Sequence, residues 1–166
     1  MRSILNKLGF NSRARVAAWM AASRQGGHLR YACRMHINAK GEFQVKGWDE
    51  KPYHEEGSRK QTLAIVDQAF SGEITGEGAA RWLMSYAPDG TAHFVGLQHV
   101  DGAIQGREGT FVLETIGDFD GQLARWRASV IADSGTGQLS GLKGSGNFGA
   151  PHGSTATYEI DFELPA

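Results

Sequence analysis

The chain has one cysteine, Cys33, in 166 residues, so an internal disulfide is excluded and a reducing compartment, the cytoplasm, is the expected location. Proline occurs only four times, which excludes a proline-rich linker or spacer. The six histidines show no metalloprotease spacing and Cys33 has no partner thiol, so no metal site is expected. No apolar run reaches the length of a membrane span, so insertion into a bilayer is not expected. A net charge of -1 gives no bulk attraction to phosphate, and nucleic acid is not an expected partner. Ser134-Gly135-Thr136-Gly137 lacks the strand, lysine and helix of a phosphate-binding loop, and no Gly-x-Ser-x-Gly elbow anchors a hydrolase triad.

The average charge conceals an asymmetry. Residues 1–34 hold seven basic side chains (Arg2, Lys7, Arg13, Arg15, Arg24, Arg30, Arg34) and no acidic one, so the remainder carries -8, since -1 minus 7 is -8. Within this arm Val16, Trp19, Met20 and Ser23 follow helical spacing among arginines, as in a short basic amphipathic helix. A secretory signal fits poorly because the apolar run is short and internal. A docking helix is an alternative, and a loosely attached extension is the simplest reading. The expected division is a basic extension over 1–40 and a β-domain over 41–164.

Glycine is what the chain has in excess, 23 residues, recurring between short β-rich runs. Strands are expected at 42–49, 61–71, 73–86, 91–100, 110–116, 122–131, 136–142 and 155–164. The expected fold class is all-β, an eight-stranded antiparallel closed barrel, because closure leaves no unpaired edge. A two-sheet sandwich is the structural alternative. A two-residue turn at Asp120-Gly121 would pair Thr115 with Trp126, Leu113 with Ala128 and Phe111 with Val130 on the inner face. Glu114 would then face Arg127, and Ile116 Arg125, outside. A like turn at Asp89-Gly90 would place Tyr86 opposite His93, Met84 opposite Val95, Trp82 opposite Leu97 and Ala80 opposite His99, all inward. An Asp101-Gly102 turn would then require a bulge near Gly106 or Gly109, or else one face is inverted.

The motifs Phe43-Gln44-Val45-Lys46-Gly47-Trp48-Asp49-Glu50, Phe70-Ser71-Gly72-Glu73-Ile74, Gly76-Glu77-Gly78 and Leu83-Met84-Ser85-Tyr86 occur in order. They are followed by Phe94-Val95-Gly96-Leu97, Gly106-Arg107, Gly109-Thr110-Phe111-Val112-Leu113, Ser134-Gly135-Thr136-Gly137-Gln138-Leu139 and Gly141-Leu142. This set resembles a family of small bacterial proteins, a domain of unknown function in the allene oxide cyclase-like barrel superfamily. The resemblance implies an eight-stranded barrel whose relatives bind apolar small molecules in the lumen, some steering a cyclisation. Gly96-Leu97-Gln98-His99 and Leu113-Glu114-Thr115 depart from the family pattern at polar positions. The match starts just after Met35, which marks Met35 as an alternative start with residues 1–34 as upstream sequence.

An inner wall of Trp82, Met84, His93, Leu97, Phe111, Trp126 and Tyr158 suits a small apolar or aromatic ligand. His99, Tyr86 and Glu50 are the candidate proton-moving groups for a cofactor-independent cyclase or isomerase. Glu77 and Glu114 fall on the outer face and drop out. The competing reading is a non-catalytic binding or assembly module with a filled core. Cavity volume separates the two. Leu83, Phe94, Val112 and Ile116 on the expected outer face point to a homo-oligomer.

Overall fold

Period-two alternation of apolar and polar residues carries the chain through eight strands. A computed structural model describes residues 33–152 and 155–166, and the amphipathic segment 16–23 lies outside the described residues. The strands are β1 (Arg34–Glu56), β2 (Arg59–Gly72), β3 (Ile74–Tyr86), β4 (Ala92–Ile104), β5 (Arg107–Phe119), β6 (Leu123–Val130), β7 (Lys143–Pro151) and β8 (Ala156–Pro165). Each pairs antiparallel with its neighbour in sequence, and β1 also pairs with β8, closing the sheet into a ring. The sandwich alternative is therefore replaced by a closed barrel. β1 begins at Arg34, inside the segment expected as an extension, and residues 34–43 make the closing pairs, among them Ala39 with Ile160 and Phe43 with Ala156.

The expected strand at 136–142 is not one. The chain there forms a single 3-10 turn, Gly137–Leu139, and the seventh strand follows it as Lys143–Pro151. Leu139 and Leu142 are buried, so their hydrophobicity serves the core from a turn and not from a strand. β6 is shorter than β5, and the β6–β7 loop completes the ladder that β6 abandons: Thr136 N–H donates to Thr110 O, and Thr110 N–H to Thr136 Oγ1. This loop sits against the Arg107 end of β5 and plugs that end of the barrel with Leu139. The glycine-rich sequence of β7 has low strand propensity. Its pairing with β6 and β8 is what makes it a strand.

Two hairpins depart from the expected registers, with different consequences. At the β5–β6 turn Asp120 pairs with Leu123 through Asp120 N–H to Leu123 O, and Gly121 takes φ +95°, the pattern of a Gly-first turn. Thr115 therefore pairs with Ala128 and Gly117 with Trp126. The slip is two residues, which preserves the faces. Outside, Glu114 meets Ser129 and Ile116 meets Arg127, and the acid–base pair is Asp118 with Arg125. At the β3–β4 turn Gly90 N–H donates to Ala87 O, so the loop is Pro88-Asp89-Gly90, a type I turn with proline second and a positive-φ glycine after it. That single extra residue inverts β4. Met84 faces Phe94 and Trp82 faces Gly96. The next turn is Gln105-Gly106, both with positive φ, while Asp101 and Gly102 lie within β4, so no bulge is needed there.

The lumen is packed from the plugged end upward. Ile74, Ile104, Leu113 and Phe162 are fully buried, Phe111 rests on Phe162 at 5.7 Å, and Phe43, Phe70, Phe148 and Tyr158 form the next layer. Each large apolar side chain removed from water contributes about 1.5–3 kcal/mol. The Tyr158 hydroxyl accepts from Ile74 N–H at 2.8 Å and donates to Ser71 O at 3.0 Å, tying the β2–β3 turn to β8. Tyr158→Phe keeps the ring but leaves the Ile74 N–H unpaired in the core. A loss of about 1–3 kcal/mol is expected in urea unfolding, and an unchanged midpoint would contradict the tie.

Candidate functional site at the barrel mouth

Above the packed base the lumen opens. Two indoles make the floor of this space: Trp82 and Trp126 meet edge to face at 5.3 Å, and both are buried. Each lies opposite a glycine, Gly96 for Trp82 and Gly117 for Trp126. A Cβ at either glycine would strike neighbouring backbone, Arg81 O beside Gly96 and Arg125 O beside Gly117, as well as the facing tryptophan. Trp82 Nε1–H donates to Thr115 Oγ1 at 2.9 Å, which in turn donates to Gly96 O at 3.0 Å.

One side of the mouth is set by a bulge in β1. Val45 pairs with Gln68 but Gly47 with Asp67, so Lys46 is an extra residue. A bulge re-aims the side chains that follow it. Below it the odd residues Ile37, Ala39 and Phe43 face inward. Beyond it the even residues take that face, Trp48 opposite Val66 and Glu50 opposite Ala64. Trp48 leans over Trp82 at 6.1 Å while remaining 50 % exposed.

The result is a pocket of about 380 Å³ lined by Phe43, Val45, Trp48, Gln68, Trp82, Met84, Tyr86, Phe94, Phe119, Ala124, Trp126, Ala150 and His152. Its rim carries one fixed carboxylate. Glu50 Oε2 accepts from Trp48 Nε1 at 2.9 Å and Oε1 from Thr62 Oγ1 at 2.6 Å. Tyr86 stands beside it. Burial first, then the neighbouring Glu50 carboxylate, push the Tyr86 phenol above its ordinary 10.0, and the hydroxyl donates to Met84 Sδ at 3.8 Å. Lys60 Nζ lies 4.6 Å over the Tyr86 ring.

Of the residues expected to line the lumen, Trp82, Met84, Tyr86 and Trp126 meet at this pocket, and Glu50 joins them through Trp48. Phe111 and Tyr158 face inward but lie in the packed layers below it. His93, Leu97 and His99 are corrected: they point out to solvent, because β4 is inverted by the three-residue turn. His93 Nδ1 sits 2.7 Å from Asp118 Oδ1 on the outside. Phe94, expected outside, is buried in their place, and so is Gln98. Trp48 is a wall residue beyond the reach of the sequence reading. The hidden signal for Trp48 was the bulge at Lys46, which no local sequence rule marks. A larger groove of about 820 Å³ crosses the outer face past Leu97, Glu114, Arg127 and Glu159, but it is a surface depression remote from the lumen.

Fold and site define a small antiparallel barrel with a packed base and an apolar mouth. Residues 39–162 match the DUF3224 family, described as a protein of unknown function, and the chain belongs to that family. The crystal structure of a DUF3224-family protein with unknown function from Shewanella oneidensis MR-1 is similar, with a TM-score of 0.61 and 26 % identity, covering 78 % of this chain and 97 % of that one. No curated protein matches the chain. Among the described residues no helix is long and apolar enough to cross a membrane.

The rim makes a pH prediction. The Tyr86 phenol should stay protonated through the ordinary tyrosine range, since both burial and the Glu50 carboxylate disfavour the phenolate. Glu50→Gln should lower its midpoint without restoring the ordinary value, because burial remains. Ring-carbon NMR shifts followed with pH report this directly, and an unperturbed Tyr86 titration in the parent chain would separate the two residues.

Proposed function

We propose that the barrel holds one small apolar or aromatic molecule at its mouth, oriented by Glu50 and Tyr86. The observation that carries this is the pocket itself. Its volume of about 380 Å³ lies at the small end of the range of about 300–1,000 Å³ that small-molecule sites occupy. Its walls are mostly aromatic, its polar side chains are few, and Glu50 at the rim is held by two hydrogen bonds. Val45 and Trp48 at the rim are 48 % and 50 % exposed, apolar surface that a ligand would remove from water. Cofactor-independent cyclisation or isomerisation, which the allene oxide cyclase-like resemblance implies, would use these walls to hold a flexible substrate near its reactive shape. Glu50 and Tyr86 are then the proton-moving groups within reach, and His99 has no part.

Native mass spectrometry of protein purified from its own host should show one retained small molecule per chain. Ala124→Phe, which fills the pocket from its wall, should abolish retention while leaving the thermal midpoint nearly unchanged. Bare protein in the parent chain, together with no uptake of added aromatic probes, would sink the proposal.

A second reading, an assembly module, is favoured by the outer face. Leu63 pairs with Leu83, Leu83 with Val95, and Val95 with Ile116, so four exposed apolar side chains form a ladder across β2 to β5, with exposed Leu97 beside it. Of the residues first expected to drive self-association, Leu83 and Ile116 belong to this ladder, Val112 is half-buried and Phe94 is inside. A contiguous apolar strip of this kind suits a second copy of the same chain, strip against strip about a twofold axis. Light scattering should show a dimer in the parent chain and a monomer in Leu83→Lys. A monomer in both across a wide concentration range refutes the reading.

A further inference from the structure

The indole N–H groups of the described tryptophans are not equivalent. Trp48 and Trp82 each donate at 2.9 Å, to Glu50 and Thr115. Trp126 Nε1 is buried and has no partner. An indole nitrogen only donates, with no tautomer or amide flip to change its role, and an unpaired buried donor costs about 1–3 kcal/mol. Packing alone does not ask for that N–H. Trp126 stacks on Phe148 at 5.1 Å and 9°, and meets Trp82 and Phe94 edge-on, contacts that an all-carbon ring also makes. Trp126 lines the mouth pocket, and Gln68 lines it from the other side of the barrel. Gln68 and Gln98 share one amide hydrogen bond of 2.7 Å, and the remaining amide atom on each, Gln68 Nε2 and Gln98 Oε1, is buried and unpaired.

We infer that the molecule held at the mouth carries a neutral carbonyl oxygen on its inner end, and that Trp126 Nε1–H donates to it. The inference rests on the mouth-binding reading. The acceptor is neutral for two reasons. Among the described residues the pocket lining holds no lysine or arginine, and an unpaired carboxylate buried among aromatic rings would keep a large desolvation cost. At the rim the Glu50 carboxylate, held by Trp48 and Thr62, offsets the Lys60 ammonium over the neighbouring Tyr86 ring, so an anion gains no net attraction on its way in. The class is thus a ketone, aldehyde, ester or amide on an apolar or aromatic body, with Gln68 as an adjoining amide. A water molecule satisfies an indole N–H as well, so the ligand's oxygen must replace that bond to bind with a preference.

The test compares two probes of one shape, fluorene and 9-fluorenone, titrated into the full chain. The ketone should bind about tenfold more tightly, the worth of one buried hydrogen bond. Trp126→Phe should reduce that ratio to near one, whatever the smaller ring does to the affinity for both probes. Should that variant not fold, two measurements on the parent chain decide. The carbonyl stretch of bound 9-fluorenone should fall below its value in hexane, and the Trp126 indole proton should move downfield on ketone binding but not on fluorene binding. Equal affinity for the two probes, an unshifted stretch, or a preference that survives in Trp126→Phe overturns the inference and leaves mouth binding standing. Failure of both probes to bind overturns mouth binding itself, and this inference with it.

Discussion

Two indoles laid across two glycines divide this barrel into parts with different physics. An eight-stranded barrel is only just wide enough for its own side chains, so open volume inside it has to be made by placement. Trp82 and Trp126 span the lumen from β3 and β6, and they can do so because Gly96 and Gly117 offer them bare backbone to lie against. Beneath them Phe43, Phe70, Phe148 and Tyr158 touch ring to ring, and the fold's cohesion resides there. Above them the strands run on, and Met84, Tyr86, Phe94 and Phe119 line an open pocket. A filled core and an open apolar mouth occupy successive depths of one lumen.

The polar character of the mouth has a separate origin, in a change of parity along β1. Without the extra residue at Lys46, Asp49 would take the inward face, and Trp48 and Glu50 would stand in solvent. With it, a strand that begins as core continues as rim, pairing beyond residue 43 with β2 but no longer with β8. An indole and a carboxylate come to the mouth together, already hydrogen bonded to each other and to Thr62. A rim held by side chains of two paired strands has little freedom to reorganise, so ordering it on binding costs little.

Sequence made the ring legible and left the turns as the source of error. Register errors are discrete. The β5–β6 slip of two residues kept every face, which is why Trp126, Leu113 and Thr115 were placed inside correctly. The β3–β4 slip of one residue moved His93 and His99 from the lumen to solvent and carried the favoured catalytic candidate with them. Asp-Gly ordinarily favours a two-residue turn, whereas Pro88, well suited to the second position of a type I turn, extends the loop by one. The conflict was visible in advance, since β4 and β5 could be reconciled only by a bulge or an inverted face. The inverted face was the answer. β7 was illegible for another reason: its glycines carry almost no strand signal, and its structure is imposed by neighbours on both sides.

The division of the lumen also constrains how ligand and fold relate. Because the base is packed without help from the mouth, the ring does not need an occupant to be stable, and an occupant adds stability only by mass action on the folded state. A ligand of the proposed kind would be read by a preformed surface and limited by a floor it cannot displace without breaking the Trp82–Trp126 contact. Size is set by that floor, and orientation by where the few polar atoms lie, with Glu50 and Tyr86 at the rim and the unpaired Trp126 N–H in the floor. A molecule with a polar inner end and an apolar body meets both demands. A purely apolar one meets only the first, and leaves a buried donor unanswered.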